Sequence, residues 1–324
     1  MLTYIIKRLL LMIPLLIGIT FICFIVIHLA PGDPTEITNA LNPKASELAR
    51  ERFRKMYNLD KPLHIQYYLW LKKFVVFDFG NSFTQDRRPV LEKIIERLPL
   101  TIYLNISALI IIFMVAIPLG VFSAYYRDSL FDKITTIFVF IGFAIPSFWL
   151  ALLCLYYFGV ILHILPISGI HSYNFEKLSL LGKLLDIAKH SLLPILLSAF
   201  SSLAGVSRYA RNSTLEVLSE DYIEAARARG INEGKILFGY AFRNSLLPII
   251  TVIGLSIPAL IGGSVIFESI FALPGMGQLF YQSVMMRDYP TIMGILVMGS
   301  FLTLIGNLIA DILYMIVDPR VRTN

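Results

Sequence analysis

Residues 219–230 form the stretch around which this chain is organised, and they read Ser219-Glu220-Asp221-Tyr222-Ile223-Glu224-Ala225-Ala226-Arg227-Ala228-Arg229-Gly230. The stretch is charged and rich in helix-forming residues, whereas the flanking sequence is mostly apolar. Ser219 or Asp221 can cap a helix here, and Asp221 with Glu224 has the spacing of a capping box. Gly230 stands just past the last helical position, where a left-handed residue ends many helices. The pattern predicts a short capped helix that ends at Gly230.

A second short helix is predicted after Gly230, with Asn232 as its cap and an extent of roughly Glu233 to Phe242. The small side chains of Ala225 and Ala226 give the first helix a face that another backbone could approach closely. A capped helical hairpin of this kind can bind a soluble partner. An ordinary connecting loop is the alternative that these residues leave open.

The composition indicates a membrane protein. The 324 residues are 56% hydrophobic and 15% charged, with a mean hydropathy of +0.72, whereas soluble domains carry about 25% charged residues. The net charge of +6 requires no nucleic-acid partner, because Lys and Arg concentrate in the cytoplasmic loops of membrane proteins. We therefore expect an all-α polytopic protein in a lipid bilayer.

Six apolar segments are candidates for transmembrane helices, each crossing requiring roughly 20 residues. The predicted spans are 9–29, 100–126, 134–165, 191–207, 246–267 and 290–317. The predicted divisions are an N-terminal region 1–99 with an insertion at 30–99, a core 100–317 with a polar loop at 208–245, and a tail 318–324. Pro146 falls inside the third span, where neighbouring helices can compensate for the lost backbone hydrogen bond.

Basic residues in the short loops predict the orientation. Lys7 and Arg8 precede the first span, and Arg127 and Lys133 follow the second. The 208–245 loop is also rich in arginine. Because Lys and Arg favour the cytoplasmic side, we expect both termini and this loop to be cytoplasmic, and the 30–99 insertion to lie outside.

The sequence Glu224-Ala225-Ala226, followed by Gly230 and then by Leu247-Pro248, resembles the EAA loop of the membrane subunits of importers driven by an ATP-binding cassette. The long spacing between Gly230 and Leu247 resembles the peptide and nickel branch. Further strings resemble the peptide branch: Ala30-Pro31-Gly32-Asp33-Pro34, Phe79-Gly80-Asn81-Ser82, Arg97-Leu98-Pro99, Phe271 through Gly277, and Arg287-Asp288-Tyr289-Pro290. Over essentially its whole length the chain is similar to the first permease of this branch.

The resemblance implies a type I importer permease fold with six transmembrane helices in a bacterial inner membrane. It implies import of di- or oligopeptides, with nickel or a nickel chelate as the alternative substrate. The implied partners are a second related permease, two ATP-binding cassette subunits and an extracytoplasmic solute-binding protein. In this family the EAA loop docks into the ATPase, so the resemblance implies an ATPase-coupling role for every residue from Asp221 to Gly230.

No catalytic motif is recognisable in the sequence. The string Gly230-Ile231-Asn232-Glu233-Gly234-Lys235-Ile236 is one residue short of a phosphate-binding loop and has Ile where Ser or Thr would bind Mg²⁺. The five His residues include no pair at metal-ligand spacing. We therefore expect no enzyme activity and no cofactor on this chain, with ATP and Mg²⁺ held by partner subunits.

A path for a polar solute requires small or polar side chains within the spans. The candidates for this translocation path are Asn105, Ser107, Ser147, Ser201, Ser256, Ser264 and Asn307. Each of them could instead make an ordinary helix-packing hydrogen bond. Asp311 is the main ionisable residue in a span, and pairing with Arg320 is one explanation for it. Such sparse intramembrane charge disfavours a secondary carrier without an ATPase partner, which is the alternative from another class.

Overall fold

The computed structural model describes residues 2–29 and 47–317, and this part of the chain is helical. Within it, β-pairing is limited to an isolated bridge between Asn81 and Pro89. The α-helices are α1 Leu2–Leu29, α2 Glu47–Met56, α3 Leu63–Phe74, α4 Val90–Tyr125, α5 Leu130–Ala144, α6 Ser147–Cys154, α7 Leu180–Leu218, α8 Asp221–Ala228, α9 Glu233–Lys235, α10 Phe242–Ser256, α11 Val265–Ile270, α12 Met276–Met285 and α13 Tyr289–Val317. The first part of the predicted insertion, 30–46, and the tail 318–324 lie outside the described residues.

Four of these helices are long and apolar enough to cross a membrane: Tyr4–Leu29 of α1, all of α4, all of α7, and Tyr289–Ile312 of α13. They correspond to the first, second, fourth and sixth predicted spans. α5 and α6, with the π-helical continuation Leu155–Ile161, form a bent pair that makes a fifth crossing if it is one span. By length and composition the described residues therefore give four or five spans, and the count of six stays a prediction.

The third predicted span is not one continuous helix. α5 ends at Ala144, α6 begins at Ser147, and the two are bent by 95°. Ile145 has an extended backbone with ψ of 125°, because a following proline disfavours the helical conformation of the residue before it. The predicted third span, 134–165, is therefore broken at Pro146, and its crossing as one span stays a prediction.

The fifth predicted span, 246–267, is also interrupted. α10 ends at Ser256, a 3₁₀ turn covers Pro258–Leu260, and α11 begins only at Val265. Pro258 has no backbone N–H to continue the helical ladder. Gly263 has a φ of +63°, which is outside the right-handed helical region.

The described chain divides into two compact units, the first formed by Met1–Thr101, Ile261–Val265 and Pro274–Ile305. Its core contains buried apolar side chains from α1, the start of α4, α12 and α13, and its members include Phe24, Phe79, Val90, Ile94, Met276 and Met293. Gly294 allows α13 to approach α4 closely, since a Cβ there would lie 2.5 Å from Cγ1 of Val90.

Two buried hydroxyl groups join helices within the first unit. The hydroxyls of Thr20 and Tyr67 lie 2.9 Å apart and connect α1 to α3. Oγ1 of Thr101 accepts a 2.8 Å hydrogen bond from the backbone N–H of Met276, the first residue of α12. This contact satisfies one of the N–H groups that a helix start leaves without an intrahelical partner.

The second unit is formed by Ile102–Leu260, Ile266–Leu273 and Gly306–Asn324. Its helices approach one another closely at glycine residues. A Cβ on Gly120 of α4 would lie 2.7 Å from Cβ of Ala210 in α7, and one on Gly142 of α5 would lie 3.1 Å from the Phe200 ring. α4 and α5 therefore both pack against α7. The predicted boundary between 99 and 100 falls inside α4, which is one helix from Val90 to Tyr125.

Candidate coupling site

α8 is the short helix predicted from the charged stretch, but its N-terminus differs from the prediction. Glu220 is the N-cap residue, with φ −75° and ψ 144°, and no side chain makes a capping hydrogen bond. The hydroxyl of Ser219 instead donates to the carbonyl of Glu216 at 2.7 Å, closing the end of α7. Ser219 and Asp221 as caps, and the Asp221–Glu224 capping box, are therefore wrong, because α7 extends to Leu218 and leaves Asp221 inside the helix.

Gly230 lies just past the C-terminal end of α8, as predicted, and has a φ of +72°. The N–H of Gly230 donates to the carbonyl of Arg227 at 2.9 Å, and that of Ile231 donates to the carbonyl of Ala226 at 3.2 Å. This pair of bonds is the Schellman motif, which satisfies carbonyls that would otherwise have no intrahelical donor. Glycine is favoured at this position because it adopts a positive φ without a Cβ clash.

One face of α8 is anchored in a small apolar cluster. Ile223 is fully buried and Ala226 nearly so, and they pack with Ile236 and Ala241 from the segment that follows. Partly buried Ile231 also contacts this cluster, so the residue after Gly230 returns to the core. Burying one isoleucine stabilises a fold by about 1.5–3 kcal/mol, so the inner face fixes the orientation of the helix.

The opposite face of α8 is exposed. The exposed residues are Asp221, Tyr222, Glu224, Ala225, Arg227, Ala228, Arg229 and Gly230. Ala225 presents the small side chain that was predicted, whereas Ala226 is buried and the prediction is wrong for it, because residues 223 and 226 lie three apart on the inner face. The outer surface is thus a low alanine ridge flanked by acidic and basic side chains.

The predicted second helix is longer than expected and is joined to α10. Oδ1 of Asn232 accepts from the N–H of Gly234 at 2.8 Å, so Asn232 is the cap that was predicted. α9 then passes through a π-helical segment, Ile236–Ala241, directly into α10. The predicted end at Phe242 is therefore wrong, because the apolar residues that follow continue the helix to Ser256.

Side-chain contacts connect α8 to α9 and α10, and a further contact connects α10 to α7. Nε of Arg227 lies 3.0 Å from Oε1 of Glu233, and Nδ2 of Asn244 donates to the hydroxyl of Tyr222 at 2.9 Å. The hydroxyl of Ser213 in α7 donates to the carbonyl of Ser245 in α10 at 3.1 Å. These bonds tie α8 directly to α10, and α10 in turn to α7.

An ion pair that the sequence did not predict joins the C-terminal part of α7 to the start of α5. Arg211 donates to Asp132 at the start of α5 through two nitrogens, and Asp132 is only 4% exposed. The same carboxylate accepts from the hydroxyl of Ser123 at 2.5 Å and from the N–H of Asp128 at 3.0 Å. Bidentate pairs of this kind are strong and geometrically specific.

The predicted translocation residues occupy several environments. Ser201 and Ser256 donate to carbonyls of their own helices, at 3.1 Å to Ser198 and 2.8 Å to Val252. Nδ2 of Asn105 donates to the carbonyl of Leu260 at 2.8 Å. The half-buried residues of the set also include Ser107, Ser147 and Ser264, and Asn307 is exposed. The hydrogen bonds described for Asn105, Ser201 and Ser256 thus go to backbone carbonyls and do not join these residues to one another.

Two further predictions concern ionisable residues. Among residues 2–29 and 47–317, no group of three or more His, Cys, Asp and Glu side chains could hold a metal ion. The proposed partner of Asp311, Arg320, lies outside the described residues. The pairing of these two residues therefore stays a prediction.

Comparison with known proteins identifies relatives along the whole chain. Residues 116–323 match the family described as "Binding-protein-dependent transport system inner membrane component", and residues 1–105 match its N-terminal membrane-component family. The oligopeptide transport system permease protein AppB of Bacillus subtilis is 44% identical over 322 residues, covering 99% of this chain and 100% of AppB. The dipeptide permease DppB of Alkalihalophilus pseudofirmus is 35% identical, covering 99% and 100% of the two chains.

A solved structure shares the fold at low sequence identity. An inward-facing structure of the MetNI methionine ABC transporter has a TM-score of 0.53 with 17% identity, covering 70% of this chain and 97% of that one. A likeness at this identity shows the fold, which is the all-α fold of a type I importer membrane subunit.

Proposed function

The chain belongs to the family of binding-protein-dependent transport system inner membrane components, and we propose that it is the peptide-conducting permease subunit of an importer whose ATPase acts through α8. The protein is a multi-pass membrane permease. The names of its relatives, which include oligopeptide and dipeptide permeases, support di- or oligopeptides as the solute. The partners in this proposal are a second related permease, two ATP-binding cassette subunits and an extracytoplasmic solute-binding protein.

The observation that best supports the coupling role is that one face of α8 is buried and the opposite face is exposed. Its inner face is fixed by buried Ile223 and Ala226, while Ala225 lies on an exposed ridge. A ridge of small side chains can enter a groove on a partner without steric obstruction. The charged residues at its flanks suit a polar rim around such an interface.

The proposed mechanism is alternating access. ATP binding brings the two ATPase subunits together and displaces α8. The contact of α8 with α10, and that of α10 with α7, pass the displacement to these two helices. A change of helix packing then opens the path inward. In this proposal the termini and α8 are cytoplasmic, in keeping with the arginine-rich 208–245 loop. ATP and Mg²⁺ bind the partner subunits, and this chain supplies no catalytic group.

The docking face can be tested with one substitution. Ala225→Arg places a long cation on the exposed ridge without disturbing the buried cluster, and we expect loss of ATPase co-purification and at least a tenfold loss of ATP-dependent peptide uptake in vesicles. The matched control is Ala188→Arg, at an exposed alanine near the start of α7, which should leave both readouts unchanged. Full uptake by Ala225→Arg would refute the docking role. Uptake by this chain without any ATPase would instead support a secondary carrier.

A further inference from the structure

A small polar cavity lies where α4, α5 and α7 meet. Its volume is about 200 Å³. The lining residues are Ser123, Thr135, Thr136, Val139, Phe140, Ser207, Arg208, Arg211 and Asn212. Two guanidinium groups and several hydroxyl groups therefore line it, whereas its lining contains no carboxylate. This composition favours an anionic ligand.

The two arginines contribute differently to the cavity. Arg211 uses Nε and Nη2 for Asp132, which leaves its second terminal nitrogen and that nitrogen's hydrogens available. Arg208 is exposed, with its guanidinium carbon 5.6 Å from the centre of the Phe140 ring, and it makes no ion pair within the described residues. Because Asp132 offsets the charge of Arg211, the uncompensated cation of the cavity is Arg208.

The cavity adjoins a strongly apolar surface of α5. Ile137 is 59% exposed, Phe140 54% and Phe143 77%. In a bilayer these side chains are covered by acyl chains, since α5 belongs to the bent pair that is apolar enough to cross it. A basic pocket between transmembrane helices, next to an apolar surface, has the character of a phospholipid headgroup site.

We propose that this cavity binds the phosphate group of an anionic phospholipid. Arg208 and the free nitrogen of Arg211 would donate to the phosphate oxygens, because guanidinium groups match phosphate geometry. The hydroxyl of Thr136 is the adjacent neutral donor, whereas that of Thr135 donates to carbonyls of its own helix. The acyl chains would lie along the exposed face of α5. This site is separate from the α8 surface and does not depend on the coupling role.

The test measures lipid binding to the purified full-length chain in detergent. Bound lipid is counted by native mass spectrometry, and melting temperature is followed during titration with phosphatidylglycerol, phosphatidylcholine or inorganic phosphate. We expect phosphatidylglycerol to bind and stabilise the chain, and Arg208→Gln to weaken that binding by about tenfold, which corresponds to loss of a charged hydrogen bond. Arg208→Lys should retain part of the affinity because the charge remains. Arg243→Gln, at an exposed arginine outside the cavity lining, should bind like the unaltered chain.

Each remaining outcome is decisive. Equal binding of phosphatidylglycerol and phosphatidylcholine, or equal affinity in Arg208→Gln and the unaltered chain, would overturn the proposal. Stabilisation by inorganic phosphate that equals the lipid effect and depends on Arg208 would overturn the lipid source and assign the cavity to a free phosphate. If Arg208→Gln does not fold, Thr136→Val serves in its place, and undiminished lipid binding by that variant together with Arg208→Lys would count against the site.

Discussion

The guanidinium of Arg211 donates to both oxygens of Asp132, at 2.8 Å from Nε and 2.7 Å from Nη2, and this pair joins α7 to the start of α5. The arginine side chain is 26% exposed and the aspartate side chain 6%. The contact lies close to the α7–α8 junction along the chain, seven residues before Leu218 ends α7. It therefore joins α7 to α5 shortly before α8 begins at Asp221.

Asp132→Asn should destabilise the chain by about 3 kcal/mol, because removing one member of a buried ion pair leaves the other charge without compensation. The measurement is the melting temperature of the purified chain in detergent. The double variant Asp132→Leu with Arg211→Met should recover part of the loss, since neither charge then remains. An unchanged melting temperature in Asp132→Asn would show that the pair contributes no net stability.

Gly230→Ala should weaken the end of α8 by about 1 kcal/mol, because a residue with a Cβ is disfavoured at positive φ. No atom lies within 4 Å of the position where a Cβ would be, so the cost is confined to the backbone. Faster hydrogen exchange at the Ile231 amide would report it. Gly230→Asn is the control and should cost less, since Asn tolerates this conformation.

Gly230→Pro is a separate test of coupling. Proline fixes φ near −65° and has no N–H, so it cannot keep the φ of +72° or the bond to Arg227. We expect the variant to stay in the membrane and to retain ATP hydrolysis by its partners, while peptide uptake falls at least tenfold. Full uptake by an assembled Gly230→Pro complex would rule out a role for this helix end in coupling.

Gly120→Ala should destabilise the second unit by about 1–3 kcal/mol, the usual cost of overpacking a well-packed interface. The added methyl would meet the Ala210 side chain and the Ser207 carbonyl. Gly205→Ala is the matched control on α7, because nothing lies within 4 Å of its Cβ position and alanine favours helix over glycine. Melting temperatures should fall for the first variant and stay level or rise for the second.

The acid stability of the first unit should depend on Asp86. Burial raises the pKa of this carboxyl, but hydrogen bonds from Thr84 and Lys93 outweigh that effect and hold the pKa below its usual value. A carboxyl with a lowered pKa in the folded state stabilises it above the unfolded pKa of about 3.9, and the contribution is lost as pH falls further through the folded value. The melting temperature should therefore drop more steeply below pH 4 in the unaltered chain than in Asp86→Asn. Parallel pH profiles would contradict this assignment.

Local signals in the sequence predicted the features that depend on single residues. Gly230 marked the end of α8 because few other residues tolerate its backbone conformation, and Asn232 marked the next helix start. Hydropathy identified the long helices but underestimated the lengths of α4 and α7. Their polar ends remain helical beyond the apolar segment that hydropathy detects.

Features that depend on tertiary contacts were not predictable in the same way. Asp132 and Arg211 are 79 residues apart, and each by itself resembled an ordinary loop charge. The break at Pro146 depends on whether neighbouring helices compensate for the lost hydrogen bond, which one helix's sequence cannot reveal. Ala226 faces inward because Ile236 and Ala241 cover it, a contact made only after the chain turns back.

The number of residues in the π-helical segment Ile236–Ala241 sets the rotation of α10 about its axis relative to α9. Each residue of an α-helix turns the chain by about 100°, and an i→i+5 segment holds one residue more than regular α-helix does. Closing these six residues into regular α-helix without a deletion would therefore rotate all of α10 by roughly that angle relative to α9. Asn244 would then point away from Tyr222, and the Ser245 carbonyl would leave Ser213. In this segment the number of residues, more than their identity, is what aligns the exposed ridge with the membrane helices behind it.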